Sequence, residues 1–249
     1  MQGMTGFVGT GTGFLLGLFG SGGTLIAMPM LHFVLHVQSK SAIAMGLGII
    51  AISATIAAFD YWRRGAVDLR VAGLFSLFGV MGTYVGARIG STIPADVHLA
   101  LFAIVMYYSA ARILMRKSTH EAASPTKRSE HWLYIGAYGT GIGAFAGFVG
   151  VGGGFLIVPA LIILWGLPIQ RAVGTSLVAV AANSYAGFAG YAGAVAISYP
   201  IMGVFTATAV VGTFAGSALH SRLPVHMVKV GLGLFLATIA TYIVWKKLG

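Results

Sequence analysis

An all-α, polytopic membrane protein with two homologous repeats is the fold class this sequence predicts. Three observations carry it: a composition almost without charge, a series of long apolar stretches, and a self-similarity at a fixed offset, Gly9 to Gly139. Of the 249 residues, 57% are hydrophobic and 8% charged, and the mean hydropathy is +0.90. Soluble domains carry about 25% charged residues, and a globule this poor in charge could not cover its own surface. The solvent is therefore lipid. The 37 glycines are scattered through apolar stretches without a G-X-Y period. They suit close helix packing and exclude a collagen-like or disordered chain.

Apolar helical stretches are expected, in order, at 3–19, 23–37, 41–62, 70–90, 96–116, 132–149, 153–166, 171–194, 199–220 and 225–247. Several reach the ~20 residues needed to cross the hydrocarbon core. The polar stretch 117–131 is read as a linker, leaving 1–116 and 132–249 as the two transmembrane repeats of one membrane domain. The copies align without a gap from 9–114 against 139–244. Gly13, Gly17, Gly20, Gly22 and Gly23 meet Gly143, Gly147, Gly150, Gly152 and Gly153. Pro29, Tyr61, Gly82, Thr83 and Pro94 meet Pro159, Tyr191, Gly212, Thr213 and Pro224.

The first element of each copy, 3–37 and 132–166, is interrupted by glycines near its centre. Unbroken, either would be ~50 Å long against a core of ~30 Å. It must tilt, break or fold back. A break within a span gives four crossings and parallel copies; a hairpin leaves three and inverts them. Counting positive charge does not separate the two. The inverted arrangement is the expectation, because inverted repeats with broken helices are a recurrent transporter plan.

A net charge of +10 would suggest nucleic acid in a soluble protein. Here the cations fall mainly in breaks between apolar runs, such as Arg63, Arg64 and Arg70, or Lys127 and Arg128. That is the positive-inside pattern, so a nucleic-acid partner is not expected. No Lys or Arg precedes Lys40, so the apolar N-terminus is expected to belong to the fold rather than to a cleaved leader. The absence of cysteine excludes disulfides, thiolate metal sites and cysteine nucleophiles.

Chemistry concentrates at the two glycine runs. The first contains Gly20, Ser21, Gly22, Gly23 and Thr24; the second contains Gly150, Gly152, Gly153 and Gly154. Contiguous glycines end one helix, and the next begins with unpaired N–H groups that, with the helix dipole, favour an anion. Broken backbone survives in a membrane only inside protein or facing a wet cavity. Both runs are therefore read as substrate-binding. Gly9, Gly13 and Gly17, four apart, are read instead as a helix-packing stripe.

The segment Gly150–Pro159, of the form G-x-G-G-G-x-x-x-x-P, its weaker copy at Gly20–Pro29, and the run Ala172–Leu177 resemble the TauE/SafE family of sulfite exporters, also called the 4-toluene sulfonate uptake permease family. The resemblance covers essentially the whole chain. It implies a multi-pass protein of a bacterial inner membrane that handles sulfite, organosulfonates or related small sulfur anions, without a cofactor. Thr24 in place of Gly154, and Ala44-Met45-Gly46 in place of Gly174-Thr175-Ser176, make the two halves chemically unequal.

Thr175 and Ser176 could donate hydroxyls to an oxyanion, or bond back to their own helix. Asn183 and its counterpart Ser53 lie deep in helices, where a polar group needs either a ligand or an inter-helix partner. Arg88 and Lys229 are expected to snorkel to the interface, and Asp60 to pair with Arg63 or Arg64. His32 and His36 have metal-ligand spacing without a carboxylate nearby, and no metal site is expected. Ser21 faces Val151 in the repeat and has no evident base, so the chain is not expected to be an enzyme. The expected function is export of a small sulfur anion, with membrane lipid and that anion as partners. An uptake permease for another small anion, or a non-transporting scaffold, is the alternative. The sequence leaves the oligomeric state open.

Overall fold

The computed structural model describes residues 2–19, 25–115, 132–220 and 225–248. The first glycine run (Gly20, Ser21, Gly22, Gly23 and Thr24), the linker 117–131 and the side chain of Lys229 lie outside the described residues. In chain order the elements are α1 (Gln2–Phe19), α2 (Ala27–Pro29) with a π-helical turn (Met30–Val34), α3 (Ser39–Arg63), α4 (Leu69–Thr92) and α5 (Ala95–Met115). They continue as α6 (Trp132–Val149), α7 (Gly154–Trp165), α8 (Ile169–Ala192), α9 (Tyr199–His220) and α10 (Val225–Leu248). Among the described residues, five helices are long and apolar enough to cross a membrane: Ser39–Arg63, Leu69–Thr92, Ala95–Met115, Gln170–Ala192 and Tyr199–Gly216. The protein is all-helical and multi-pass.

Helices α1, α3, α4 and α5 begin at residues 2, 39, 69 and 95, and α6, α8, α9 and α10 begin 130 positions later in each case, at 132, 169, 199 and 225. The one clear departure from the expected elements is 23–37, where α2 is a single turn. The Leu35 N–H bonds to the carbonyl of Met30 at 3.3 Å, which widens the helix into the π-turn, and Val37 N–H closes on Leu31. His36 then turns the chain with φ of 54°, where its counterpart Gly166 has φ of 61°. A side chain in this left-handed region costs ~1 kcal/mol. His32 Nδ1, 2.7 Å from the Val37 carbonyl, ties the turn down.

The chain folds as two compact units, and each draws on both halves of the sequence. One comprises residues 1–42, 93–119 and 198–249. In it α1 and α9 run parallel and meet through glycine. A Cβ on Gly13 would overlap the backbone of Ala209, and Cβ atoms on Gly212 and Gly216 would overlap the carbonyls of Thr10 and Phe14. The Thr213 hydroxyl lies 2.8 Å from the Ala209 carbonyl and 3.2 Å from that of Gly13. Helices α5 and α10 run antiparallel: Tyr107 bonds to Thr241 at 2.8 Å, and Leu114 packs on Gly233.

The other unit comprises 43–92 and 120–197. Here α4 and α6 repeat the glycine contact. Cβ atoms on Gly143 and Gly147 would overlap the carbonyls of Gly79 and Thr83, and Cβ atoms on Gly82 and Gly86 those of Thr140 and Ala144. Helix α8 lies parallel to α4, with Asn183, Gly187 and Gly190 against Gly79, Thr83 and Ala87 in turn. It is antiparallel to α3, because Gly174 near its start meets Tyr61 and Gly187 near its end meets Leu47. Apolar on every side, α3 is the inner helix of this unit, and every residue from Ile43 to Ala51 is buried. On α4 the small residues Gly79, Gly82, Thr83, Gly86 and Ala87 are buried, while Leu77, Met81, Val85 and Ile89 are exposed. That inversion suits a helix with lipid on its outer face.

Two classes of glycine follow. Gly143→Ala and Gly82→Ala, whose new methyl would meet a carbonyl, should lower stability by ~1–3 kcal/mol. Gly11→Ala and Gly141→Ala, where a Cβ meets nothing within 4 Å, should be neutral or gain up to ~1 kcal/mol from helix propensity. Thermal unfolding in detergent distinguishes them; equal effects would remove the interlock.

Candidate functional site

The second glycine run is a true break, and the backbone shows why glycine is needed. The carbonyl of Ala146 accepts from Gly150 N–H at 2.8 Å and from Val151 N–H at 3.1 Å, which ends α6. Gly150, Gly152 and Gly153 have φ of 80°, 71° and 76°, values that strain any residue with a Cβ. The Gly153 carbonyl then accepts from Leu156 at 2.9 Å and Ile157 at 3.1 Å, opening α7 at Gly154. The amides of Gly152, Gly153 and Gly154 find no acceptor among the described residues, and all three residues are buried. They are the free donors that a helix start leaves, at the positive end of α7. The opposite orphans are partly covered: Tyr191, fully buried, donates to the Phe148 carbonyl at 3.3 Å.

Side chains of α8 and α4 bring further polar groups to this region. The Ser184 Oγ stands 2.9 Å from where a Cβ on Gly152 would lie, so it points at the break. Asn183, on the adjoining face of α8, fills the space left by Gly79: its Oδ1 and Nδ2 lie 2.6 and 2.9 Å from the Cβ position there. Thr83, one turn along α4, contacts both Gly147 of α6 and Gly187 of α8. Asn183, Ser184 and Thr83 are all 0% exposed. None of their side-chain polar atoms has a hydrogen-bond partner among the described residues, and the same holds for Ser53 Oγ and Ser76 Oγ. Buried polar groups are nearly always satisfied, and each exception needs a cause, such as a bound ligand or a water.

The residues singled out from sequence therefore separate. Gly150, Gly152, Gly153 and Gly154 form the break; Asn183 is buried and Ser53 half-buried, and neither side chain has a hydrogen-bond partner among the described residues. The two hydroxyls of the Ala172–Leu177 run are engaged locally. Thr175 Oγ1 accepts the Asp68 N–H at 3.0 Å, and Asp68 in turn caps α4 through Val71 N–H at 3.1 Å. Ser176 bonds back to the Val173 carbonyl at 2.7 Å. Asp60 pairs with Arg64 at 2.7 Å, and Arg88 lies over the Tyr84 ring on an exposed face. Sequence reasoning missed Thr83 and Ser184. Thr83 stood out only as half of the Thr83–Thr213 identity, and Ser184 only as the neighbour of Asn183. Among the described residues no group of three His, Asp or Glu converges to hold a metal.

The sulfite exporter TauE/SafE family profile matches residues 5–243. The chain is 32% identical to a Xylella fastidiosa (strain Temecula1) protein described as a "probable membrane transporter protein", over 96% of this chain and 94% of that one. The "probable membrane transporter protein YdhB" of Bacillus subtilis (strain 168) is 27% identical over 88% of this chain and 89% of its own length. A Haemophilus influenzae protein of the same description is 24% identical over 94% of each. No solved structure matches the chain.

A buried amide without partners destabilises the fold that holds it. Asn183→Leu, nearly the same size, should therefore leave the melting temperature unchanged or raise it, the gain being up to ~1–3 kcal/mol. Thermal unfolding in detergent measures this; a clear fall would mean that Asn183 serves structure.

Proposed function

The chain belongs to the sulfite exporter TauE/SafE family of membrane transporters, and on that premise we propose that it carries a small sulfur oxyanion or sulfonate outward across a bacterial cytoplasmic membrane. It is a transporter rather than an enzyme. The observation that carries the reading is the α6–α7 break, with backbone donors at a helix start that find no acceptor among the described residues and the buried Ser184 hydroxyl, likewise without a partner among them, aimed at it. Backbone amides and a hydroxyl so placed offer an oxyanion a replacement for part of its hydration shell. The first glycine run, Gly20 to Thr24, is proposed to bind the anion as well.

We read the chain as two inverted repeats, 1–116 and 132–249. Three observations support this. Four helices start in register with their counterparts. The α1–α9 and α4–α6 contacts exchange into one another under the same offset, Gly13 on Ala209 becoming Gly143 on Gly79. The counterpart pairs α3 with α8, and α5 with α10, each run antiparallel. Antiparallel counterparts follow when the relating axis lies in the membrane plane. At 12 residues α7 is ~18 Å long, too short to span alone, which suits a hairpin and leaves three spans per copy. Arg64 and Ala194 are exposed counterparts at the ends of α3 and α8. Single cysteines there should react with impermeant reagents from opposite faces; reaction from one face would establish parallel copies.

Of the five acidic residues, Asp60, Asp68 and Asp96 fall in a connection or at helix margins, and Glu121 and Glu130 belong to the polar stretch 117–131 of the sequence, so no proton relay through carboxylates is expected. An anion leaving a cell negative inside gains ~2.3 kcal/mol per charge per 100 mV. Export should then be driven by the potential. In liposomes with potential and pH gradient clamped separately, sulfite flux should follow the potential, and Asn183→Leu and Ser184→Ala should each reduce it by about tenfold or more. Flux that follows only the pH gradient would exclude potential-driven export.

A further inference from the structure

We propose that the α6–α7 site selects monovalent oxyanions over divalent ones of similar size, an inference that rests on the transport reading above. It comes from the charge of the groups around the break. Among the described residues of this unit the buried polar side chains are Thr83, Thr175, Ser176, Asn183, Ser184 and Tyr191, all hydroxyls or a carboxamide. Thr175 and Ser176 are already engaged with Asp68 and Val173, leaving neutral donors alone to meet a ligand.

The unit's described charged residues are Asp60, Arg63, Arg64, Asp68, Arg70, Arg88 and Arg171, and each is exposed or half-exposed. They also lie toward the ends of their helices. Asn183 is 14 residues into α8 and Gly79 ten residues into α4, so helix rise alone puts them ~15–20 Å from the charged ends where those helices begin. Arg88, nearer the other end of α4, faces outward over Tyr84.

The scaling of the two opposing terms decides the outcome. Removing an ion from water costs an energy that grows as the square of its charge, so a dianion costs about four times as much as a monoanion of the same radius. Its attraction to fixed neutral dipoles grows only in proportion to charge, and so doubles. With a cation in the site the dianion could recover the difference. The donors shown at the break are the N–H groups of Gly152, Gly153 and Gly154 and the Ser184 hydroxyl, and none carries a full charge. The ligand class is accordingly R–SO₃⁻ sulfonates and hydrogen sulfite, with sulfate and other divalent oxyanions excluded by desolvation.

The test uses the full chain in proteoliposomes held at zero membrane potential under equal concentration gradients. Labelled methanesulfonate serves as a permanent monoanion and labelled sulfate as a dianion. Methanesulfonate flux should exceed sulfate flux by about tenfold or more, and Asn183→Leu should remove it while the protein still unfolds cooperatively. Sulfate flux equal to or above methanesulfonate flux would overturn the selectivity and leave the transport reading standing. No flux of either anion, from folded protein in tight vesicles, would overturn both.

Discussion

The contact on which this structure rests is backbone against backbone, through glycine. In lipid the hydrophobic effect does not press one helix onto another, and association depends on close van der Waals approach. Gly9, Gly13, Gly212 and Gly216 let α1 and α9 meet at their carbonyls; Gly143, Gly147, Gly82 and Gly86 do the same for α6 and α4. The large apolar side chains of α4 are turned outward instead. This reverses the soluble arrangement, in which bulk goes inward.

Close approach has a consequence for chemistry. With α4 drawn against α6 and α8 beside it, Thr83 and Asn183 are fully buried, and their side-chain polar atoms have no partner among the described residues. The missing side chain at Gly79 is what admits the Asn183 amide. At the counterpart position, Ala209 has a Cβ. The counterpart of Thr83, Thr213, has its hydroxyl satisfied by Ala209 and Gly13. The same scaffold thus carries two different polar environments: one closed on itself, one left with unspent donors and acceptors. Duplication explains the scaffold, and divergence at a few positions explains the chemistry.

The break itself costs free energy that a continuous helix would not. Three left-handed glycines, and three buried amides with no acceptor among the described residues, are maintained between α6 and α7. Tyr191 offsets part of this by capping Phe148, and the Ala146 and Gly153 carbonyls each take two donors. The amides at the α7 start are left over after that accounting, which is what a ligand site requires and a packing motif does not.

The sequence by itself determined the membrane class, the helix starts and the position of the break. Those follow from composition, from the span a lipid core demands, and from glycine's freedom at positive φ, all of which are local. It also marked Gly9 and Gly13 as packing residues by their spacing of four. It read α2 as a longer helix because a π-turn closed by His36 leaves no local mark that distinguishes it from the helix at 154–165. Only the tertiary structure decided which hydroxyls were free. Thr175 looked as available as Thr83 in sequence, yet Thr175 meets the Asp68 N–H of a neighbouring connection while Thr83 Oγ1 has no partner among the described residues. Whether a buried polar group has a partner depends on residues distant in the chain, and no local pattern encodes that.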